Sequence, residues 1–260
     1  MTKLFFIGDI VDEPGLTYLE AHLPALIEAH RPDFVIANAE NLNTSDDACG
    51  MTAASLARLF ALGVDAVTGG NHSWDGQQGR TVHDDPRVLR PLNYGKRAPG
   101  RGATIIEKDG VCLGVVNLIS PEVCSLADHP LDVMEAQLSA WRGRVDLIVV
   151  DYHGESVMEK LIFAFAFDGH VAAVLGTHTH VQTADTRLLP CGTAYVTDVG
   201  MTGPGGGVQG YDAARFVRSA WERLPNAEPM RIAEGAVEFG AVLITCNDDG
   251  TAAAITRLSA

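Results

Sequence analysis

The sequence predicts an α/β protein built around a parallel sheet, and three observations carry that prediction. Short apolar runs, among them Leu4–Ile7, Phe34–Ala37 and Asp146–Asp151, alternate with stretches of helical spacing, the pattern of repeated βα units. The runs lack period-2 alternation, as strands buried on both faces do. Run after run also ends in residues able to bind a metal. The last of these endings is Val174-Leu175-Gly176-Thr177-His178-Thr179-His180, in which two imidazoles spaced i, i+2 leave the sheet edge where open α/β sheets place ligands.

Taken in order, Leu4–Ile7 is the first strand and Gly8-Asp9 its tip. Leu16, Leu19, Leu23, Leu26 and Ile27 space a helix from Leu16 to His30 that Arg31-Pro32 stops. Phe34–Ala37 runs into Asn38-Ala39-Glu40-Asn41 and a polar loop, Asn43-Thr44-Ser45-Asp46-Asp47. Thr52 caps a helix carrying Leu56, Leu59, Phe60 and Leu62 that ends at Gly63. Ala66–Thr68 breaks at Gly69-Gly70 and delivers Asn71-His72.

Pro86 to Gly102 reads as a long surface loop with Lys96, Arg97 and Arg101. Ala103–Glu107 and Val111–Leu118 flank Asp109-Gly110 as a hairpin, and a helix from Leu131 to Trp141 follows. Asp146–Asp151 ends in Tyr152-His153. The helix from Ser156 to Phe167 is apolar nearly all round, which predicts burial or a homo-oligomer contact. Val171–Leu175 delivers His178 and His180. After strand and turn signals over Thr186–Val199, the glycine-dense stretch from Asp198 to Gly207 reads as a loop able to close over a ligand, with no role assigned to Gly203–Gly210. Glu238–Thr245 and Thr251–Leu258 form a second hairpin. With no repeat or composition break, residues 1–260 are expected to be a single domain.

The net charge of −14 with 47% hydrophobic and 20% charged residues fits a globular chain and argues against a duplex nucleic-acid partner, which needs Lys and Arg to neutralise phosphates. Five cysteines without a Cys-x-x-Cys pair fit reduced thiols. No apolar run reaches membrane-spanning length, and Met1–Ile7 is too short for a signal peptide, so a cytoplasmic protein is expected.

In a parallel sheet with right-handed crossovers the strand ends share one edge, so Asp9, Glu40, Asn41, Asn71, His72, His153, His178 and His180 should converge. Carboxylates, carboxamides and imidazoles together suit Mn, Fe, Co or Zn rather than Mg or Ca. The donors exceed what one ion requires, and a bridging carboxylate such as Glu40 points to two. Two ions roughly 3.5–4 Å apart hold a bridging hydroxide for in-line displacement at phosphorus, which is phosphoester hydrolysis.

The motifs Phe6-Ile7-Gly8-Asp9, Asn38-Ala39-Glu40-Asn41, Gly69-Gly70-Asn71-His72, Asp151-Tyr152-His153, Gly176-Thr177-His178-Thr179-His180-Val181-Gln182-Thr183-Ala184-Asp185 and Asp198-Val199-Gly200-Met201-Thr202-Gly203-Pro204 resemble the calcineurin-like metallophosphoesterases. More closely they resemble the bacterial YmdB-like branch, which are 2′,3′-cyclic-nucleotide phosphodiesterases. Val11 and Glu40-Asn41 replace the superfamily's first-motif histidine and its Gly-Asp, a departure shared with that branch. The resemblance implies a single-domain calcineurin-like fold of mixed β-sheets forming a sandwich flanked by helices. It implies one ion on Asp9, Glu40, Asn41 and His180 and another on Glu40, Asn71, His153 and His178, with Fe or Mn the first expectation and Zn or Co next. It leaves His72 as a general acid for the departing ribose oxygen and a small phosphodiester as the substrate.

Plainer readings stand beside these. Asp9 suits a cap or turn, Asn71 a left-handed turn, and His153 a hydrogen-bonded sheet end. Lys96, Arg97 and Arg101 suit a solvated loop, and Trp74 and Tyr152 apolar packing. His22, His30, His83, His129 and His170 read as solvated or locally bonded on helix surfaces and loops. The competing functions are a two-metal nuclease acting on oligonucleotides, and a metal-loaded regulatory protein that binds a nucleotide without cleaving it.

Overall fold

A computed structural model describes residues 1–44, 49–225 and 228–259. The chain runs β1 (Thr2–Ile7), β2 (Asp9–Ile10), α1 (Asp12–His30), β3 (Phe34–Asn38), β4 (Asn43–Thr44), β5 (Cys49–Gly50), α2 (Ala53–Ala61), β6 (Ala66–Thr68), a 3-10 turn (Val82–Asp84), β7 (Ala103–Lys108) and β8 (Val111–Ile119). It continues through α3 (Pro130–Trp141), β9 (Leu147–His153), α4 (Val157–Ala166), β10 (Ala173–Thr177), β11 (Arg187–Leu188), β12 (Ala194–Val196), β13 (Met201–Pro204), α5 (Ala213–Glu222), β14 (Val237–Phe239), β15 (Ala241–Cys246) and β16 (Ala252–Leu258).

The parallel sheet read from the apolar runs is divided between two large mixed sheets, the helix-flanked sandwich that the resemblance implied. One has the order β16-β15-β1-β3-β6 and the other β11-β12-β10-β9-β8-β7. β1, β3 and β6 are parallel in the first, and β8, β9, β10 and β12 in the second. The antiparallel strands β15, β16, β7 and β11 lie outside these parallel sets. Along β1, Leu4 and Phe6 face the opposing sheet's Leu113, Val115, Val149 and Leu175. Phe5 and Ile7 face Leu16, Leu19 and Leu23 of α1 and Leu56 and Leu59 of α2. On the second sheet, Val150 and Val174 turn to Met134, Trp141 and Phe163 of α3 and α4. The layers are helix, sheet, sheet, helix. The parallel strands are largely buried on both faces whether the neighbouring layer is helix or sheet, which is why the apolar runs could not reveal the division.

Several elements differ from their sequence reading. α1 begins at Asp12, ahead of Pro14, because a proline in the first turn forfeits no intrahelical bond. Thr52 caps α2 as expected, its side chain accepting from the Ser55 N–H at 3.3 Å. The 86–102 stretch is not all surface, since Val88, Leu89 and Arg90 are buried and Val67 bridges Val88. His83 is buried too, its ring between the Ser73 and Val88 carbonyls. Helix α4 buries Lys160, Phe163 and Ala164 but leaves Val157, Met158, Ile162 and Phe165 more than half exposed, so it is not enclosed within the subunit. Part of the glycine-dense stretch is strand: β13 pairs with β2 and β14. Helix α5 had no sequence signal as a core element because none of its residues is buried. Asn43 and Thr44 of the polar loop pair with β5, and Ser45, Asp46 and Asp47 lie outside the described residues.

Candidate metal centre

The ends of the parallel strands meet at one edge shared by both sheets. β1 passes through Gly8 to Asp9, β3 runs into Glu40 and Asn41, and β6 gives way to Gly69, Gly70, Asn71 and His72. β9 ends on His153, and β10 delivers His178 and His180. Convergence was predicted for one sheet edge, and two stacked sheets bring it about. Gly70 leaves the space open: a Cβ there would overlap the Glu40 carboxylate and the His153 ring.

Nε2 of His153 is the crowded point. It lies 3.0 Å from Glu40 Oε1, 3.1 Å from Asn71 Oδ1 and 3.0 Å from His178 Nδ1. A single N–H can serve one of three acceptors, so the lone pairs outnumber the protons. Glu40, His153 and His178 place their ligand atoms within 4.8 Å of one another. Asp9 Oδ1 stands 3.9 Å from His180 Nε2. Both Asp9 Oδ1 and Asn41 Oδ1 are buried without a hydrogen-bond partner among the described residues. His72 joins the group by its backbone N–H, which donates to Glu40 Oε2 at 3.0 Å, while its ring Nδ1 turns to Asp75 Oδ2 at 2.8 Å.

Each imidazole has its outer nitrogen against an acceptor, which aims the lone pair of the inner one at the cluster. His153 Nδ1 meets Thr177 Oγ1 at 2.9 Å, and Thr177 donates onward to Asp151 Oδ1 at 2.7 Å. Asp151 also accepts from Asn38 Nδ2 at 3.0 Å and from Thr68. His180 Nδ1 donates to the Gln209 carbonyl at 2.9 Å. His178 Nε2 faces Glu155 Oε2 at 3.5 Å. His178 and His180 take φ of 99° and 65°, the left-handed region that costs L-residues energy. A buried ion pair holds that turn. Lys160 Nζ donates to Asp198 Oδ2 at 3.0 Å and to the Thr177 carbonyl at 2.9 Å. Asp198 also accepts from the backbone N–H of Thr179 and of Gly200.

The charges are arranged for a cation. Burial, with help from Asp198, Glu40 and Asp151, pushes the Asp9 carboxyl well up, although His153 opposes it. Burial would raise Glu40 too, but the neighbouring His153 outweighs it and brings Glu40 to about 2. Burial lowers His153, yet Glu40, Asp9 and Asp151 carry it up to about 9. Burial and then His153 push His178 down to about 3, and burial lowers His180. Two orphaned carbonyl-type oxygens, inward lone pairs and an excess of buried carboxylate fit divalent cations, whose charge reverses this balance. The mixed oxygen and nitrogen donors suit Mn, Fe, Co or Zn.

The structure thus brings together Glu40, Asn71, His153 and His178 tightly, and Asp9 and His180 beside them. Asn41 is adjacent in the chain and turns its amide to Tyr211. Trp74 is half-buried, edge-on to Tyr94, and Tyr152 packs on Phe163, as the plainer reading of both held. Lys96, Arg97 and Arg101 are exposed. The sequence reading missed the supporting residues Thr177, Lys160, Gln209 and Tyr211. Lys160 alone carried a signal, as a lysine inside an apolar helix.

A profile of the YmdB-like protein family matches residues 5–258. A 2′,3′-cyclic-nucleotide 2′-phosphodiesterase of Bacillus subtilis (strain 168) is 37% identical over 247 residues, 95% of this chain and 92% of its own. The structure of a phosphatase from Mycoplasma pneumoniae superposes with a TM-score of 0.92 at 28% identity, covering 100% of this chain and 93% of that one. A putative 5′-nucleotidase from Staphylococcus aureus shares the calcineurin-like fold at 15% identity, with a TM-score of 0.58 over 99% of this chain and 54% of its own.

Proposed function

The chain belongs to the YmdB-like protein family, and from that membership we propose that it is a metal-dependent phosphodiesterase hydrolysing cyclic nucleotides, 2′,3′-cyclic nucleoside monophosphates first among them. The observation that carries the reading is the crowding of Glu40, Asn71 and His178 around His153 Nε2, next to the unsatisfied oxygens of Asp9 and Asn41. Asp9, Glu40, Asn41 and His180 would hold one ion, and Glu40, Asn71, His153 and His178 the other, with iron or manganese preferred. When bound, such ions supply activated water and positive charge opposite the phosphate oxygens.

The chain's own residues do the rest. Thr177, Gln209 and Glu155 hold the imidazole tautomers, and Gly70 lets the Glu40 carboxylate and the His153 ring close in on the backbone beside them. Asp75 holds His72 by Nδ1, leaving Nε2 free to give a proton to the departing ribose oxygen. The net charge of −14 supports a small substrate over a nucleic-acid duplex.

The test is an assay of 2′,3′-cyclic, 3′,5′-cyclic and oligonucleotide diesters at matched phosphate, before and after chelation. The 2′,3′-cyclic nucleotide should be turned over fastest and only by metal-loaded protein. Equal turnover by chelated protein, or preference for the oligonucleotide, overturns the reading. His72→Ala should keep its metals and lose about 10²- to 10⁴-fold in kcat; unchanged kcat removes the general acid.

A further inference from the structure

The geometry points to Gln209–Tyr211 as the positioning element for one ion only, with the Tyr211 hydroxyl deciding which end of the Asn41 carboxamide faces the metal. This rests on the proposed sharing of an ion by Asp9, Asn41 and His180.

A carboxamide presents oxygen or nitrogen to a cation with almost the same shape, and only its other hydrogen bonds tell the two ends apart. Asn41 Nδ2 donates to the Tyr211 hydroxyl at 3.2 Å. That hydroxyl lies 3.0 Å from Cys49 Sγ, which can accept its hydrogen bond. The chain of donors then runs from amide to phenol to thiol, and Oδ1 of Asn41 is left pointing away, buried and unpartnered.

Two residues earlier, the Gln209 carbonyl takes Nδ1–H of His180 at 2.9 Å, and the Gln209 side chain donates to the Thr179 carbonyl at 3.3 Å. One short segment therefore orients two ligands of the same ion. Gly210 between them makes this possible. Its φ is +86°, and a Cβ there would sit 2.9 Å from Val11 Cγ1. Val11, which stands where the wider superfamily carries a histidine, is instead the apolar seat of the segment, clustered with Cys49, Met201 and Tyr211. Among the described residues, no hydrogen bond joins Asn71, His153 or His178 to this segment. His153 is held through Thr177 and Asp151.

The experiment titrates chelated full-length protein with Mn²⁺, reading bound-ion count and stepwise affinity by calorimetry. Wild type should bind two ions. Tyr211→Phe keeps the ring and should weaken one step by about 10- to 100-fold, the size of an outer-partner loss, leaving the other step and the unfolding midpoint of the metal-free protein unchanged. Two wild-type steps in Tyr211→Phe, or equal weakening of both, overturn the inference. Asp9→Asn is titrated in parallel. If it loses one ion while Tyr211→Phe loses none, only the role of Tyr211 fails. If Asp9→Asn also binds both ions normally, the ligand assignment falls and the inference with it.

Discussion

The two halves of the centre are supported differently. The half around His153 leans on strands: Thr177 belongs to β10 and Asp151 to β9, which pair in register, and Asn38 and Thr68 reach across from the other sheet to the same carboxylate. The half around His180 leans on a glycine-dense connection, through the Gln209 carbonyl and the Tyr211 hydroxyl. Strand-borne groups are fixed by ladders on both sides, whereas a connecting segment is fixed only by what it rests on. A site can thus combine one rigid ligand set with one that depends on local packing.

The comparison should break most completely at Glu40, the residue proposed as a ligand in both halves. Glu40→Gln should abolish binding of both ions and lower kcat by about 10³-fold or more, since several kcal/mol of charge stabilisation are lost at ~1.4 kcal/mol per decade. Metal analysis and initial rates check this, and retention of one tightly bound ion would show that Glu40 is not shared. Next comes the Lys160–Asp198 pair, which touches the strand side through Thr177 and the loop side through Thr179 and Gly200. Lys160→Met should destabilise the fold by about 3–5 kcal/mol, because Asp198 is left buried without its partner. Denaturant unfolding measures it, and adding Asp198→Asn should recover part of the loss.

Thr177→Val should separate the halves, weakening by about 10- to 100-fold the ion step that Tyr211→Phe spares. Weakening of the same step in both variants would mean the supports are not distinct. The smallest effect is expected outside both halves, at Asp185. Burial raises that carboxyl, but hydrogen bonds from Thr183 and Thr197 outweigh it and hold it below its ordinary 3.8. Its stabilisation is present above the unfolded value and lost as pH falls through the folded one. Asp185→Asn should cost about 1 kcal/mol at pH 7, a charged hydrogen bond discounted for partial exposure, with the gap from wild type closing below pH 4 in thermal unfolding. A gap that persists at low pH would assign the effect to packing.

What could be read from the sequence follows the same contrast. Apolar runs ending in Asp9, Glu40, Asn71, His153 and His178 were legible because strand burial and the polar break after it are local features. The division into two sheets was not legible in the runs themselves and came only from the motif resemblance, since a strand covered by helix and one covered by sheet carry the same residues. The supports were not legible either. Asn38 meets Asp151 across 113 residues and Asn41 meets Tyr211 across 170, and a threonine or tyrosine shows no mark of such a contact in its neighbourhood. Helix α4 illustrates the reverse: its apolar composition was plain, but which residues point outward depends on how the helix is rotated over β9 and β10.

Strand β1 lies between β3, made soon after it, and β15, made near the end of synthesis, and the Gly8 N–H donates to the Gly240 carbonyl at 2.9 Å. A chain still emerging from the ribosome therefore has β1 open along one edge, and the residue leading into Asp9 lacks its anchor until Gly240 has been translated. An incomplete chain therefore presents a bare strand edge where the finished fold gathers its cluster of donor residues.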